Sequence, residues 1–171
     1  MPSVSKVATK KTLSDLPYEE ADSPSETAAE PILSDVDVVE IPESQVAFVA
    51  NTADFSNQQD AEAALQPLAE LLCKQKTNCI LIGMTATFGE VESSRTLSKE
   101  RAEAVSQVLQ SFGVPKDQIR CIGTGYDHTA FFQKDLNADG TLNETLAVYN
   151  RCVLLVGAEN KIAQNLLEKY T

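Results

Sequence analysis

Hydrophobic and polar positions divide the chain at about residue 45. Beyond that point, short runs of apolar residues alternate with longer stretches of helical spacing. "QVAFVA" (Gln45–Ala50) reads as a strand, and "NCILIG" (Asn78–Gly83) as a short, central one. "IRCIGTG" (Ile119–Gly125) and "RCVLLVG" (Arg151–Gly157) read as two more. Between the first two, Ala61, Ala64, Leu65, Leu68, Leu71 and Leu72 recur at helical spacing after a capping-box pattern at Ser56–Gln59. Pro67 is expected to kink or divide this helix. A second helix is expected from about Ser94 to Phe112, stopped by Gly113 with Pro115 beyond. A short helix over Asn143–Tyr149 and an amphipathic one over 158–170 complete the pattern. The order β-α-β-α-β-loop-α-β-α predicts an α+β two-layer sandwich, with helices on one face of a mixed sheet.

One position conflicts with this pattern. Leu97, Ala104, Val108 and Phe112 share a face of the second helix, and Arg101 falls in its centre. A guanidinium keeps its proton, so Arg101 must find a carboxylate, reach solvent or wait for an anion. Periodicity alone leaves all three open.

Residues 1–44 lack sustained periodicity and hold five of the seven prolines, with ten acidic residues against three lysines, a charge of −7. They read as an acidic tail or linker, with 1–34 a flexible spacer and "DVDVVEI" (Asp35–Ile41) able to add as an edge strand. The folded domain is expected over 45–171. The net charge of −11, with no basic stripe, argues against nucleic acid. No apolar run reaches the ~18 residues of a membrane span, and the opening residues lack a signal-peptide core. Cys73, Cys79, Cys121 and Cys152 form no CxxC pair, and His128 is the single histidine, so zinc is not expected. Buried small hydrophobes are the preferred reading of the cysteines.

Three motifs in fixed order carry a family resemblance: "GMTA" (Gly83–Ala86), "SRTLSKERA" (Ser94–Ala102) and "NRCV" (Asn150–Val153). With "ADFSNQQDAEAALQPLAELL" upstream, they resemble the OmpA/MotB C-terminal domain family, the peptidoglycan-associating modules of bacterial envelopes. The resemblance spans roughly Gln45 to Gly157. It implies a β-α-β-α-β-β core and a non-catalytic module that associates with peptidoglycan in the extracytoplasmic envelope. Envelope proteins are further partners it allows, and any membrane attachment would run through an anchor upstream. In the family, a turn aspartate and the helix arginine grip the zwitterionic diaminopimelate of the wall peptide. Arg101 keeps the arginine position, while Ala86 stands at the aspartate, Met84 at the preceding histidine and Ser94 at the first asparagine. The implied ligand-binding set is Arg101, Thr85, Ala86, Ser94, Asn150 and Arg151, with binding weakened by the missing carboxylate. Asn150 and Arg151 either border the pocket or simply anchor the last strand. Glu90 or Glu92 either substitutes for the missing carboxylate or pairs with Arg101 and closes the site. A scaffold module that has kept the fold and lost the ligand is the alternative.

"DLNADGTLNETL" (Asp135–Leu146) places Asp135, Asn137, Asp139 and Gly140 as in a calcium loop, but Leu146 stands where a bidentate carboxylate is needed. A turn leading into a helix capped by Asn143 is the preferred reading. Asp127 and His128 are adjacent without a convincing nucleophile, and "GTG" (Gly123–Gly125) lacks the rest of a dinucleotide motif. No enzyme activity, cofactor or metal is expected.

Overall fold

The computed structural model describes residues 10–13 and 38–171. Five strands, β1 (Lys10–Thr12), β2 (Val38–Pro42), β3 (Cys79–Met84), β4 (Ile119–Gly125) and β5 (Cys152–Gly157), form one sheet in the order β1-β2-β5-β3-β4. β5 runs antiparallel to both neighbours, while β1–β2 and β3–β4 are parallel pairs. All six residues of β3 and of β5 are buried, because both faces of the sheet are covered.

On one face, Val39, Ile41, Leu81, Val153 and Leu155 meet α1 (Gln58–Gln75) and α2 (Val91–Ser111). This is the two-layer α+β arrangement that the sequence predicts. On the other face, Ile80, Ile82, Ile122, Leu154 and Val156 pack with Ala163 of α4 (Lys161–Tyr170) and with the loop residues Phe131 and Phe132. The C-terminal helix thus closes the second face. Asn160 caps it, accepting from the N–H groups of Ile162 and Ala163. A one-turn helix, α3 (Glu144–Ala147), precedes β5, and Asn143 caps it as expected.

Helix α1 is capped by Asn57 and continues through Pro67 without division. Ala63, whose carbonyl loses its donor at Pro67, is exposed, so water can replace the missing bond.

Two expectations about the front of the domain are corrected. The first strand of the body is Val38–Pro42, seven residues upstream of the expected Gln45 start, and it lies inside the sheet instead of at its edge. Its Val39 and Ile41 face the helices, and its backbone pairs with β5 from Val38 to Pro42. Gln45–Ala50 is not a strand: Gln45 and Val46 turn on the Pro42 carbonyl, and Phe48 makes a single bridge to Phe55. Its alternation is real, with Val46 buried and Ala47 exposed, but it lines a loop. The tail boundary at 44 moves accordingly. Lys10–Thr12 also joins the sheet and Leu13 joins the core, so this part of residues 1–34 is no spacer. The remaining tail, 1–9 and 14–37, lies outside the described residues.

The face of α2 is corrected as well. Its buried face runs through Ser94, Ser98, Ala102, Val105, Ser106, Val108 and Leu109, so Val108 holds its expected place, whereas Leu97 and Arg101 lie on the flank and Phe112 is exposed. Small residues replace large ones there because the helix backbone rests directly on the sheet. A Cβ on Gly83 would lie 1.8 Å from the Ser98 carbonyl oxygen, and one on Gly123 would lie 2.3 Å from the Lys99 nitrogen. Ser98, fully buried, donates its hydroxyl to the Arg95 carbonyl and accepts from the Gly125 N–H.

Candidate functional site

A cleft of about 550 Å³ opens beside the end of β3, between the loop 85–90, the first half of α2, the loop 48–55 and α3. The loop 85–90 is held at several points. Thr85 donates its N–H to the Gly125 carbonyl at 2.8 Å, and Thr87 donates both N–H (2.9 Å) and hydroxyl (2.6 Å) to Asp135. Ser94 donates its hydroxyl to the Phe88 carbonyl, and Tyr126 donates to the Gly89 carbonyl at 2.6 Å. Asp135 is 1% exposed. Burial alone would raise its pKa, but hydrogen bonds from Thr87 and Asn150 outweigh burial and hold the carboxyl below the usual carboxylate range.

Five of the six expected ligand residues line this cleft: Thr85, Ala86, Ser94, Arg101 and Arg151. The sixth does not. Asn150 is fully buried and spends its amide on the loop that carries Asp135. It accepts from the Gln133 N–H and donates to the Gln133 carbonyl and to Asp135. It is a positioning residue, reaching the cleft only through Asp135 and Thr87.

Arg101 answers the question posed by the helix pattern. Its Nε donates to the Thr52 carbonyl at 2.8 Å, and its guanidinium carbon stands 4.9 Å from the centre of the Phe48 ring. Phe48 is itself stacked on Phe55, and this loop fixes the arginine from one side. Among the described residues, no carboxylate lies within ion-pair distance of it. Burial pushes its pKa down while Glu43 opposes the shift, and the group still stays charged in water. Glu92 turns away to pair with Arg95, so it does not close the site. Glu90 lines the cleft without bonding to Arg101. Arg151 is committed differently, donating to both carboxylate oxygens of Glu144 at 3.0 and 3.4 Å.

The Thr85 hydroxyl lacks a partner as well: it is buried and meets no hydrogen-bond partner among the described residues. A guanidinium without an ion-pair partner, on a cleft that Thr85 also lines, suits an anionic oxygen ligand, a carboxylate above all. The cleft also contains Glu43, Asn51, Phe88 and Glu144, none of which the motifs singled out. Phe88 carried a readable signal, as a lone aromatic in an otherwise small and polar loop.

Residues 47–141 match the OmpA family over more than half of the chain. The chain belongs to the OmpA family. Solved OmpA-like domains share its fold. The peptidoglycan-associated lipoprotein from Burkholderia pseudomallei is 26% identical with a TM-score of 0.52, over 66% of this chain and 87% of that one. A putative MotB-like protein from Desulfovibrio vulgaris is 16% identical with a TM-score of 0.55, over 70% and 73% of the two chains. The periplasmic domain of Helicobacter pylori MotB is 16% identical with a TM-score of 0.53, over 77% and 91%. No curated protein sequence matches the chain.

Other candidates in this OmpA-family domain have structural partners. Asp127 accepts from Arg95 at 2.8 and 3.1 Å and from the Tyr170 hydroxyl at 2.6 Å, tying α2 to α4. Burial, then Asp127, pushes the Tyr170 pKa up to about 12. His128, next to it, stacks on Phe132 instead of facing a nucleophile. In the loop 135–146, Asp135 turns into the buried network, and Asp139 accepts from the Thr141 N–H and hydroxyl. The four cysteines form no disulfide, and burial pushes Cys79 to about 12 and Cys121 to about 11, so neither of these two is a ready nucleophile.

Proposed function

We propose that this OmpA-family domain is a non-catalytic module of the cell envelope, outside the cytoplasm, that associates with peptidoglycan. The observation that carries the reading is Arg101, a guanidinium lining a cleft without an ion-pair partner. In this reading it takes a carboxylate of the diaminopimelate in the peptide stem, and the Thr85 hydroxyl adds a hydrogen bond. The name of the Burkholderia relative, which associates it with peptidoglycan, agrees with it. Ala86 supports the scaffold alternative, because it leaves the ligand's ammonium without the family's carboxylate.

A pull-down with purified sacculi tests the reading, comparing the native chain with Arg101→Ala. The variant is expected to lose most wall binding, since removing a charge-assisted hydrogen bond weakens binding by one to two decades, about 1.5–3 kcal/mol. It should also lose about 1–2 kcal/mol of stability with the Thr52 and Phe48 contacts, yet remain folded. Lower thermal stability with unchanged sacculus binding would remove Arg101 from the site.

The missing carboxylate gives a second expectation. Ala86 lines the cleft, and no described carboxylate neutralises Arg101 through an ion pair. Ala86→Asp should therefore tighten binding of a diaminopimelate-containing stem peptide by about tenfold or more. Calorimetry that detects no heat with either the native chain or Ala86→Asp would favour the scaffold reading.

A further inference from the structure

Phe88 is 74% exposed, the most exposed large apolar side chain among the described residues. Its loop is nevertheless held by hydrogen bonds on both sides of the ring. Asp135 clamps Thr87 on one side, Ser94 binds the Phe88 carbonyl, and Tyr126 binds the Gly89 carbonyl on the other. An aromatic ring displayed in water by a fixed backbone, on the wall of a cleft, is placed for contact with a ligand and not for packing. The cleft has room for one. At about 550 Å³ it falls within the range of pockets that enclose drug-sized molecules, far more than a carboxylate on Arg101 would fill.

The surroundings of Phe88 narrow the chemistry. Asn51, Ser93 and Glu90 line the same cleft together with Leu97 and Leu142, so the ring stands among both apolar and hydrogen-bonding groups. A protein partner's apolar side chains would leave the hydrogen-bonding groups unpaired, at a cost. A pyranose ring fits both features, with a face of C–H groups for the aromatic and a rim of hydroxyls for the amide, hydroxyl and carboxylate.

We propose that Phe88 is a stacking platform for a sugar ring of the wall glycan, so that the cleft holds sugar and peptide carboxylate together. The proposal rests on the reading of Arg101 as the carboxylate site. Phe88 then decides whether the peptide is recognised alone or as part of an intact muropeptide.

Calorimetry on the full chain tests this with two probes, a disaccharide-tetrapeptide containing diaminopimelate and the same tetrapeptide without sugar. The native chain should bind the muropeptide about three- to tenfold more tightly than the peptide, as expected for partial burial of one aromatic face. Phe88→Ala should bind the two probes equally, at the native affinity for the peptide, and Phe88→Trp should keep the preference. Equal binding of both probes by the native chain would overturn the proposal and leave the Arg101 reading standing. So would a Phe88→Ala variant that weakens both probes by the same factor. If the native chain binds neither probe, the Arg101 reading fails and this proposal fails with it.

Discussion

Gly83→Ala should unfold or nearly unfold the domain. The added methyl would lie 1.8 Å from the Ser98 carbonyl oxygen and 2.5 Å from its carbon, both backbone atoms of α2 that no side-chain rotation can move aside. To admit it, the helix must lift from the central strand, and the buried contacts of Ala102, Val105 and Leu109 would loosen together. The expected cost is about 4 kcal/mol or more, at the diagnostic end of single substitutions. In a thermal melt this is a fall of about 10 °C or more, or a protein recovered only in the insoluble fraction. Gly89→Ala is the control, because its φ is +73° but nothing lies within 4 Å of a Cβ there. Its cost should be backbone strain alone, about 1–2 kcal/mol. A Gly83→Ala protein melting within 2 °C of the native one would show that α2 does not rest on the strand.

Asp135→Ala should damage both stability and the cleft. It leaves the Thr87 N–H and the Thr87 hydroxyl without their acceptor and removes one of the two acceptors of the Asn150 amide, at an expected cost of about 3 kcal/mol or more. It also frees the loop that carries Thr85, Ala86 and Phe88, so sacculus binding should weaken even though Asp135 is buried away from ligand. The pH dependence separates this role from simple packing. The Asp135 carboxyl is held below its ordinary value in the folded state, so its contribution is present above the unfolded pKa of about 3.9. That contribution is lost as pH falls through the folded value. Asp127 is depressed too, with burial opposing and the Arg95 and Tyr170 hydrogen bonds prevailing, and it adds to the same acid limb. Melting temperature against pH should thus fall less steeply below about pH 5 for Asp135→Ala than for the native chain. Parallel curves for the two proteins would show that Asp135 contributes nothing through its charge.

Strands β3, β4 and β5 were legible in the sequence to within one residue at each end, as was the N-cap of α3. The reason is physical: a strand buried on both faces must be apolar along its length, whatever its neighbours are. Family membership was legible for a related reason, because its motifs combine residues with incompatible alternatives, such as the Gly83 that only a bare backbone satisfies. Tertiary structure alone decided the stripe of α2. Hydrophobicity favoured Leu97 and Phe112 along with Val108, and Val108 is indeed buried, but glycines on the strands draw the helix so close that Ser94, Ser98 and Ala102 are buried in place of the other two. It also decided which apolar segment became a strand at the front of the domain. Val38–Pro42 and Gln45–Ala50 carry similar alternation, and pairing with β5 selected the first, leaving the second as the loop that grips Arg101. Whether that arginine would meet a carboxylate, water or an anion depended on side chains far from it in sequence. Glu92 went to Arg95 and Glu144 to Arg151, and Thr52 offered only a carbonyl, which binds a guanidinium without neutralising it.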